Sequence, residues 1–253
     1  MSNLVLATPE LSDDGTLTSS AETTAGPVTN LQKMQPTDVW EVASTTPYIV
    51  LDLGAVTAFN LVAMLHQNAI LTDTWRIRTA DTEGNLTAAP TEDTTATAMT
   101  DISPDGHVFH WIPAGWTNRW IRIDFVVSSP FMAGRLIVAN GVQQVVNYSY
   151  GAEDGYDDDS IIDITDGGNL IPNSGTNRAI FSFTLTTIDE TERHLIREIN
   201  RTRGASADVV ILSDPEQSTN KSDVIYHGLL QRYRAAIVTA FNRNSIQYKL
   251  KSL

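Results

Sequence analysis

Five side chains have types suited to gripping a polyhydroxylated ligand: Trp40, His66, Asn68, Trp116 and Arg119. An indole stacks on an apolar ring face, an amide or imidazole both donates and accepts hydrogen bonds, and a guanidinium presents a rigid fork of donors. Trp116 follows Pro113-Ala114-Gly115, a turn composition that brings it to the surface. Trp75 alternates with Ile77 and reads as core, and Trp120, out of phase with Ile121, reads as half-internal. Asp154, Asp157, Asp158 and Asp159 offer hard oxygens for a divalent cation. Their spacing does not follow the EF-hand loop, so the expectation is a solvated acidic loop with no metal.

Catalytic signatures are missing. The sequence contains no Gly-x-Ser-x-Gly elbow, no Gly-x-Gly-x-x-Gly and no P-loop. His194 and Glu198 lack the second histidine of a zinc protease and read as the polar face of a helix. His107 and His110 flank Val108-Phe109 in an apparent strand, where an odd separation points them to opposite faces. His66 reads as a turn residue at a strand end. Among thirty acids nothing singles out a glycosidase pair. The expectation is a protein that is not an enzyme and holds no cofactor.

Composition narrows the partners. The 253 residues include 17 Lys+Arg and 30 Asp+Glu, a net charge of −13, and no cysteine. Disulfides, thiolate metal sites and a cysteine nucleophile are excluded. The acidic balance predicts no grip on nucleic acid and no attraction to an anionic bilayer. No run approaches ~18 apolar residues, so no membrane insertion is expected. Met1 to Glu10 lacks a basic stretch followed by an apolar one, so no secretory leader is expected.

The charge falls into blocks: residues 1–152 carry −9, residues 153–166 carry −7 with no base, and residues 167–253 carry +3. All five tryptophans lie in the first block. This predicts an extended arm over 1–26, a first domain over 27–150, an acidic linker over 151–175 and a second domain over 176–253. In the first domain, Tyr48 to Gly54, Phe59 to Leu65, Trp75 to Ala80, Trp120 to Phe125 and Leu136 to Val138 read as strands. Residues 86–105 read as a long loop. Short strands between turns predict a β-sandwich or jelly roll.

Several pieces occur in a familiar order: Asn30-Leu31, Trp40, Tyr48-Ile-Val-Leu-Asp-Leu-Gly54, Phe59 to Leu65 with His66-Gln67-Asn68, Trp75-Arg-Ile-Arg78, Arg119-Trp-Ile-Arg-Ile-Asp124 and Ala133-Gly-Arg-Leu136. Over residues 25–148 they resemble the discoidin-type, galactose-binding-like domain, also called the coagulation-factor C-type domain. The resemblance implies an eight-stranded jelly roll whose loops at one end often bind sugars or lipid head groups. The terminal cysteines usual in animal members are missing, and no histidine stands where the fucose-binding members have theirs. The resemblance therefore carries over the scaffold and not the sugar site.

The second domain reads differently. Arg178 to Thr186 alternates as a strand, and Ile188 to Arg203 then switches to a helical period. Asp189 with Glu192 forms a candidate cap, Leu195, Ile196 and Ile199 share a face, and Gly204 is the stop. Val209 to Leu212, Val224 to Leu230, Tyr233 to Phe241 and Ile246 to Lys251 complete a β-α-β-β-β-β order, a smaller β-sandwich with one packing helix. With Val210 to Pro215 and Tyr226-His-Gly-Leu229, this resembles the modules of bacteriophage tail tubes and tail tips. The two halves in this order resemble distal or minor tail proteins. That implies a structural virion protein, made in the host cytoplasm, forming or decorating an oligomeric ring at the tail tip. Its implied partners are further copies of itself as ring, trimer or hexamer, and the tail proteins that join tube to hub or to receptor-binding proteins. The alternative is a carbohydrate-binding receptor-recognition module that meets a host surface glycan.

Overall fold

The computed structural model describes residues 3–70, 72–99, 106–128, 130–149, 151–164, 170–188, 190–203, 206–218, 220–231, 237–240 and 243–253. The fold is mainly β. Its contacts divide it into two units: Met1–Gln143 with Val210–Ile225, and Gln144–Val209 with Tyr226–Leu253.

Unit 1 begins with β1 (Val5–Ala7), α1 (Glu10–Asp14) and β2 (Thr16–Ser19). Next come β3 (Trp40–Val42), β4 (Tyr48–Leu65), β5 (Thr74–Ala80), α2 (Asn85–Ala88), β6 (Glu92–Asp93) and β7 (Thr97–Ala98). The long β8 (Val108–Val126) follows, then β9 (Phe131–Ala133), β10 (Arg135–Ala139) and β11 (Val142–Gln143). One sheet runs β10-β4-β8-β5-β6, with β2 also on β4 and β7 also on β5. All its pairings with printed register are antiparallel.

The two strands expected at Tyr48–Gly54 and Phe59–Leu65 are one strand, β4. Its register against β8 slips between Asp52 and Thr57 and again between Phe59 and Leu61. Such bulges let a long strand bend without losing its partner. One side of the sheet packs Ile49, Leu51, Val62, Met64, Trp75, Ile77, Ile121, Ile123 and Phe125 against Trp40, Val42 and Phe131 of the β3–β9 pair. On the other side, Leu61, Ala63, Leu65, Phe109, Ile137 and Ala139 pack against Val5, Ala7, Val210 and Leu212. The β4 half at Leu61–Leu65 and β10 are therefore covered on both faces. That is why they read as unbroken apolar runs instead of alternating ones. Gly106, at φ 57, is required where it stands, because a Cβ there would fall on the Gln67 carbonyl oxygen.

The expectation of an extended arm over residues 1–26 is corrected. Val5–Ala7 pairs with Val210–Leu212 in register, and Leu4 to Ala7, Ser12 and Leu17 are buried. Polar groups here find partners inside the fold. Ser12 Oγ donates to the Pro9 carbonyl at 2.9 Å, and Gln32 Nε2 donates to the carbonyls of Ser12 and Gly15 at 2.7 and 2.8 Å. Arg135, 1% exposed, holds Asp13 of α1 at 2.7 Å. The loop expected over 86–105 contains α2, β6 and β7, and its residues 100–105 lie outside the described ones.

Unit 2 takes its residues from β12 (Glu153–Asp158), β13 (Ile161–Ile164), β14 (Leu170–Asn173), β15 (Asn177–Ile188), α3 (Glu190–Arg203), β16 (Asp208–Leu212), β17 (Ile225–Gln231), β18 (Ile237–Ala240) and β19 (Arg243–Ser252). The strand, helix and strands expected after residue 176 are present in that order. β19 pairs antiparallel with β15, β17 and β18, and β15 also takes β12. The core is aromatic: Phe181 stacks on Tyr226 at 4.3 Å between centroids and Phe183 on Tyr248 at 5.5 Å. Asn200 Nδ2 of α3 donates to the Tyr248 hydroxyl at 3.2 Å. His227 and Asp208, both buried, meet at 2.9 Å.

Three expectations for this unit change. The acidic linker of 151–175 carries β12, paired to β15, and the β13–β14 hairpin. Residues 210–225 belong with unit 1, so the second domain is not one continuous stretch. Of the helix face, Ile196 is buried but Leu195 is 46% exposed. The cap at Asp189, the stop at Gly204 and residues 233–236 and 241 of the strand expected at Tyr233–Phe241 lie outside the described residues.

The buried Arg135 gives a test. Asp13→Ala strands a guanidinium away from water and is expected to cost on the order of 3 kcal/mol in urea unfolding. An unstructured arm would give a change within about 0.5 kcal/mol.

Candidate functional site

The second core covers one side of the unit 1 sheet only at the Leu61–Leu65 end. Farther along the same side, the outward halves of three alternating strands form a half-buried polar face, covered in part by Leu86 of α2. Register aligns them in rows: Tyr48 beside Asp124 and Arg76, Val50 beside Arg122 and Arg78, and Asp52 beside Trp120 and Ala80. β6 adds Asp93 beside Arg78. Each strand sends its next residue inward, so the sequence's period of two builds the core and this face together.

The face is an ion-pair network. Asp124 takes Arg78 Nε at 3.0 Å on one oxygen and Arg122 Nε at 2.8 Å on the other. Arg119 grips Asp52 with Nε and Nη2, both at 2.7 Å. Arg76 pairs with both oxygens of Asp93. Two rings border the network: the Arg122 guanidinium lies 3.6 Å from the Tyr48 centroid and that of Arg119 lies 5.2 Å from Trp120. Leu86 of α2 packs on Val50 and Ala80 and buries them, with Tyr48 and Trp120 against the same cluster. Hydrogen bonding to Arg119 lowers the Asp52 carboxyl from its ordinary value, and Arg76 holds Asp93 down to about 2. These carboxylates stay charged across the neutral range and keep the arginines fixed. The arrangement is a preorganised array of donors and acceptors beside aromatic edges. It has no nucleophile paired to a base.

The five side chains expected to contact a ligand do not form one site. Trp40 is wholly buried, edge-on to Phe131 at 5.9 Å, with Nε1 donating to the Ala21 carbonyl at 3.3 Å. It is a core residue, and the expectation is corrected. Trp40-Glu41-Val42 alternates in, out, in on β3, the period that a three-residue strand hides. Asn68 is exposed, but its amide is already used. Nδ2 donates to the Pro130 carbonyl at 3.0 Å and Oδ1 accepts from the Met132 amide at 2.8 Å. His66, at φ 54, donates its backbone N–H to His107 Nδ1 at 3.1 Å and packs edge-on to that ring. Trp116 is half-buried, edge-on to Phe59 at 6.1 Å and 5.5 Å from His110. Burial, then Lys221, lowers the His110 pKa from its ordinary value, so this imidazole is neutral. His66 follows Phe59, the register partner of Trp116, by seven residues, roughly 20 Å along an extended strand. Of the five, Arg119 alone joins this face, and Arg76, Arg78, Tyr48 and Asp124 lie outside the expected set. The signal was the pair Arg76-x-Arg78 and Arg122-x-Asp124, charges at period two on strands whose other face is apolar.

The acidic cluster is balanced by bases. Lys251 Nζ donates to Asp157 at 2.8 Å and Asp159 at 3.2 Å, and Arg178 lies 3.5 Å from Asp159. Asp158 accepts the Ser160 amide at 2.9 Å, and Asp154 faces away from Asp157 along β12. Among the described residues no group of three or more His, Cys, Asp or Glu is placed to hold a metal ion. No helix among them is long and apolar enough to cross a membrane.

No protein-family model matches the chain, and no curated protein matches it. Among solved structures it is similar to chitosan-binding module 1 of a chitosanase/glucanase from Paenibacillus sp. IK-5, at 18% identity and TM-score 0.39, covering 49% of this chain and 94% of that one. It is similar to a Streptococcus pneumoniae fucose binding module at 12% identity and TM-score 0.39, covering 49% and 90%. A third is the family 32 CBM of C. perfringens NanJ in complex with galactose, at 12% identity and TM-score 0.42, covering 53% and 98%.

The Asp93 shift sets a pH dependence. A carboxyl held at about 2 and released to its usual 3.8 on unfolding stabilises the fold fully above pH 4. That contribution fades as pH falls toward 2. Asp93→Asn is expected to lower stability at pH 7 by no more than about 1 kcal/mol, since the pair is solvent-exposed. Urea titrations of both proteins should converge near the pH at which wild-type Asp93 takes up its proton. A gap that persists unchanged into acid would contradict the ion pair.

Proposed function

We propose that unit 1 is a non-catalytic saccharide-binding module and that the saccharide lies along the Arg–Asp pairs beside Tyr48 and Trp120. One observation carries the reading: four arginines and three aspartates are locked in mutual pairs on one half-buried sheet face, beside two aromatic rings. Vicinal hydroxyls of a sugar both donate and accept. Arg–Asp pairs offer both roles at fixed spacing, and the C–H faces of a pyranose pack against aromatic edges. The partners are ordered before the ligand arrives, which limits the entropy lost on binding. The face has one more cation than anion, so it suits a neutral or acidic saccharide. No catalytic role is assigned to it.

A second reading concerns residues 144–253: a structural part of a phage tail tip, located in the virion. The observation in its favour is the order long strand, helix, strand and closing antiparallel strands, as expected for a tail module.

The test is the full chain on an array of neutral and acidic glycans, followed by titration of the best ligand. Arg122→Ala and Trp120→Ala are each expected to weaken binding at least tenfold, about 1.4 kcal/mol. Trp116→Ala, off the face, is expected to bind as wild type. Absence of any glycan binding, or full affinity in both face variants, would overturn the reading.

A further inference from the structure

Asn140-Gly141 joins β10 to β11 in unit 1 and is the one Asn-Gly pair in the sequence. Packing requires the glycine. Gly141 is buried against β1, and a Cβ there would lie 2.7 Å from Val5 Cγ1 and 3.3 Å from Ala7 Cβ. Asn140 itself is exposed. An asparagine before glycine is chemically labile, because without a Cβ the following backbone nitrogen reaches the side-chain carbonyl unhindered. Asn60 meets both polar groups of that glycine. The ladder of β10 on β4 ends at Ala139 and Leu61, and the register of β4 on β8 skips Asn60. The Asn60 amide turns to Gly141 instead. The Gly141 N–H donates to Oδ1 at 2.6 Å, and Nδ2 donates to the Gly141 carbonyl at 2.8 Å. One side chain thus fixes the donor and the acceptor of one residue.

We infer that Asn140 is a modification site, converted by deamidation to aspartate and isoaspartate, and that Asn60 is the latch that keeps it an amide. In the reaction the Gly141 nitrogen attacks Asn140 Cγ. A new N–Cγ bond closes a succinimide ring and the Cγ–Nδ2 bond breaks. Nδ2 leaves as ammonia, taking the proton that the Gly141 nitrogen carried. Water then opens the ring: attack at Cγ gives aspartate, and attack at the Asn140 main-chain carbonyl carbon gives isoaspartate. Water is the only co-reactant in the balance. Ring closure strips the Gly141 nitrogen of its proton and turns it toward Cγ, so its bond to Asn60 Oδ1 must first break. An amide oxygen is too weak a base to take that proton. The reaction therefore proceeds from the small population in which Asn60 has let go. Isoaspartate adds one carbon to the main chain and leaves a carboxylate beside it. Val142 and Gln143 come next, and they are the register partners of Leu6 and Val5. Conversion thus loosens β1, whose Val5 and Ala7 belong to the second core. The fold demands glycine at the place where glycine opens Asn140 to attack, and Asn60 offsets that hazard. The inference goes beyond the saccharide reading and does not depend on it.

Ageing the full chain in mildly alkaline buffer tests it. Peptide mapping by mass spectrometry follows Asn140, and circular dichroism shows that each protein stays folded. Folded wild type is expected to convert Asn140 at least tenfold more slowly than the same chain in urea. Asn60→Ala is expected to raise the folded rate at Asn140 at least tenfold and to leave the exposed Asn173-Ser174 pair unchanged. Asp13→Ala weakens the same unit but leaves Asn60 in place, and it is expected to convert Asn140 at the wild-type rate. If Asn60→Ala does not fold, Asn60→Ser, whose short side chain cannot span both groups of Gly141, replaces it with the same expected increase. A folded wild type that converts Asn140 as fast as the chain in urea overturns the inference. So does a folded Asn60 variant that keeps the wild-type rate, or an equal acceleration by Asp13→Ala.

Discussion

The ladder between β4 and β8 determines what the rest of unit 1 can be. Both strands are long, and the pairing survives two slips in register. On one side it supports a continuous core from Ile49 to Met64. On the other, β1 and Val210–Leu212 cover one end, and farther along only Leu86 of α2 packs on Val50 and Ala80. The rest of that end is partly wetted, so it carries charge, and charges this close are stable only in pairs. The Arg–Asp face is thus a consequence of a long sheet with a short lid. The same lid explains why one half of β4 alternates and the other half is apolar throughout.

Much of this was legible in residues. The alternation at Trp75–Ala80 and Trp120–Phe125 placed Trp75 inside and Trp120 on the boundary. The switch from period two to a helical period after Ile188 located α3. What stayed hidden depends on distant partners. The first residues look like a polar arm because the groups that bury them, Arg135 and Val210–Leu212, come 120 to 200 positions later. The candidate site is hidden for a related reason. Aromatic and amide side chains near loops have the chemistry of a sugar site, yet Trp40 serves the core and the Asn68 amide is taken up by the backbone of Pro130 and Met132. The charges that do converge sit mid-strand, and only strand order shows that Arg76, Arg122 and Asp52 belong to one surface.

Unit 2 shows how the same composition serves different ends. Its acidic stretch reads as a solvated joint, and part of it is: Asp157 and Asp159 meet Lys251 at the margin of the sheet. A few residues on, the stretch turns into a hairpin whose side chains are mostly aliphatic. Charge beside exposed isoleucines is one device by which a sheet edge avoids pairing with other chains.

The discontinuity of unit 1 has a consequence for how the chain is made. Strand β1 leaves the ribosome long before its partners at Val210–Leu212, which emerge only after sixty-odd residues of the other unit have intervened. During that interval the nascent chain holds an unpaired edge and the apolar row Leu61, Ala63, Leu65, Ile137 and Ala139 without its cover. A fragment ending at residue 150 would leave that state permanent, so unit 1 cannot be separated by one cut in the chain.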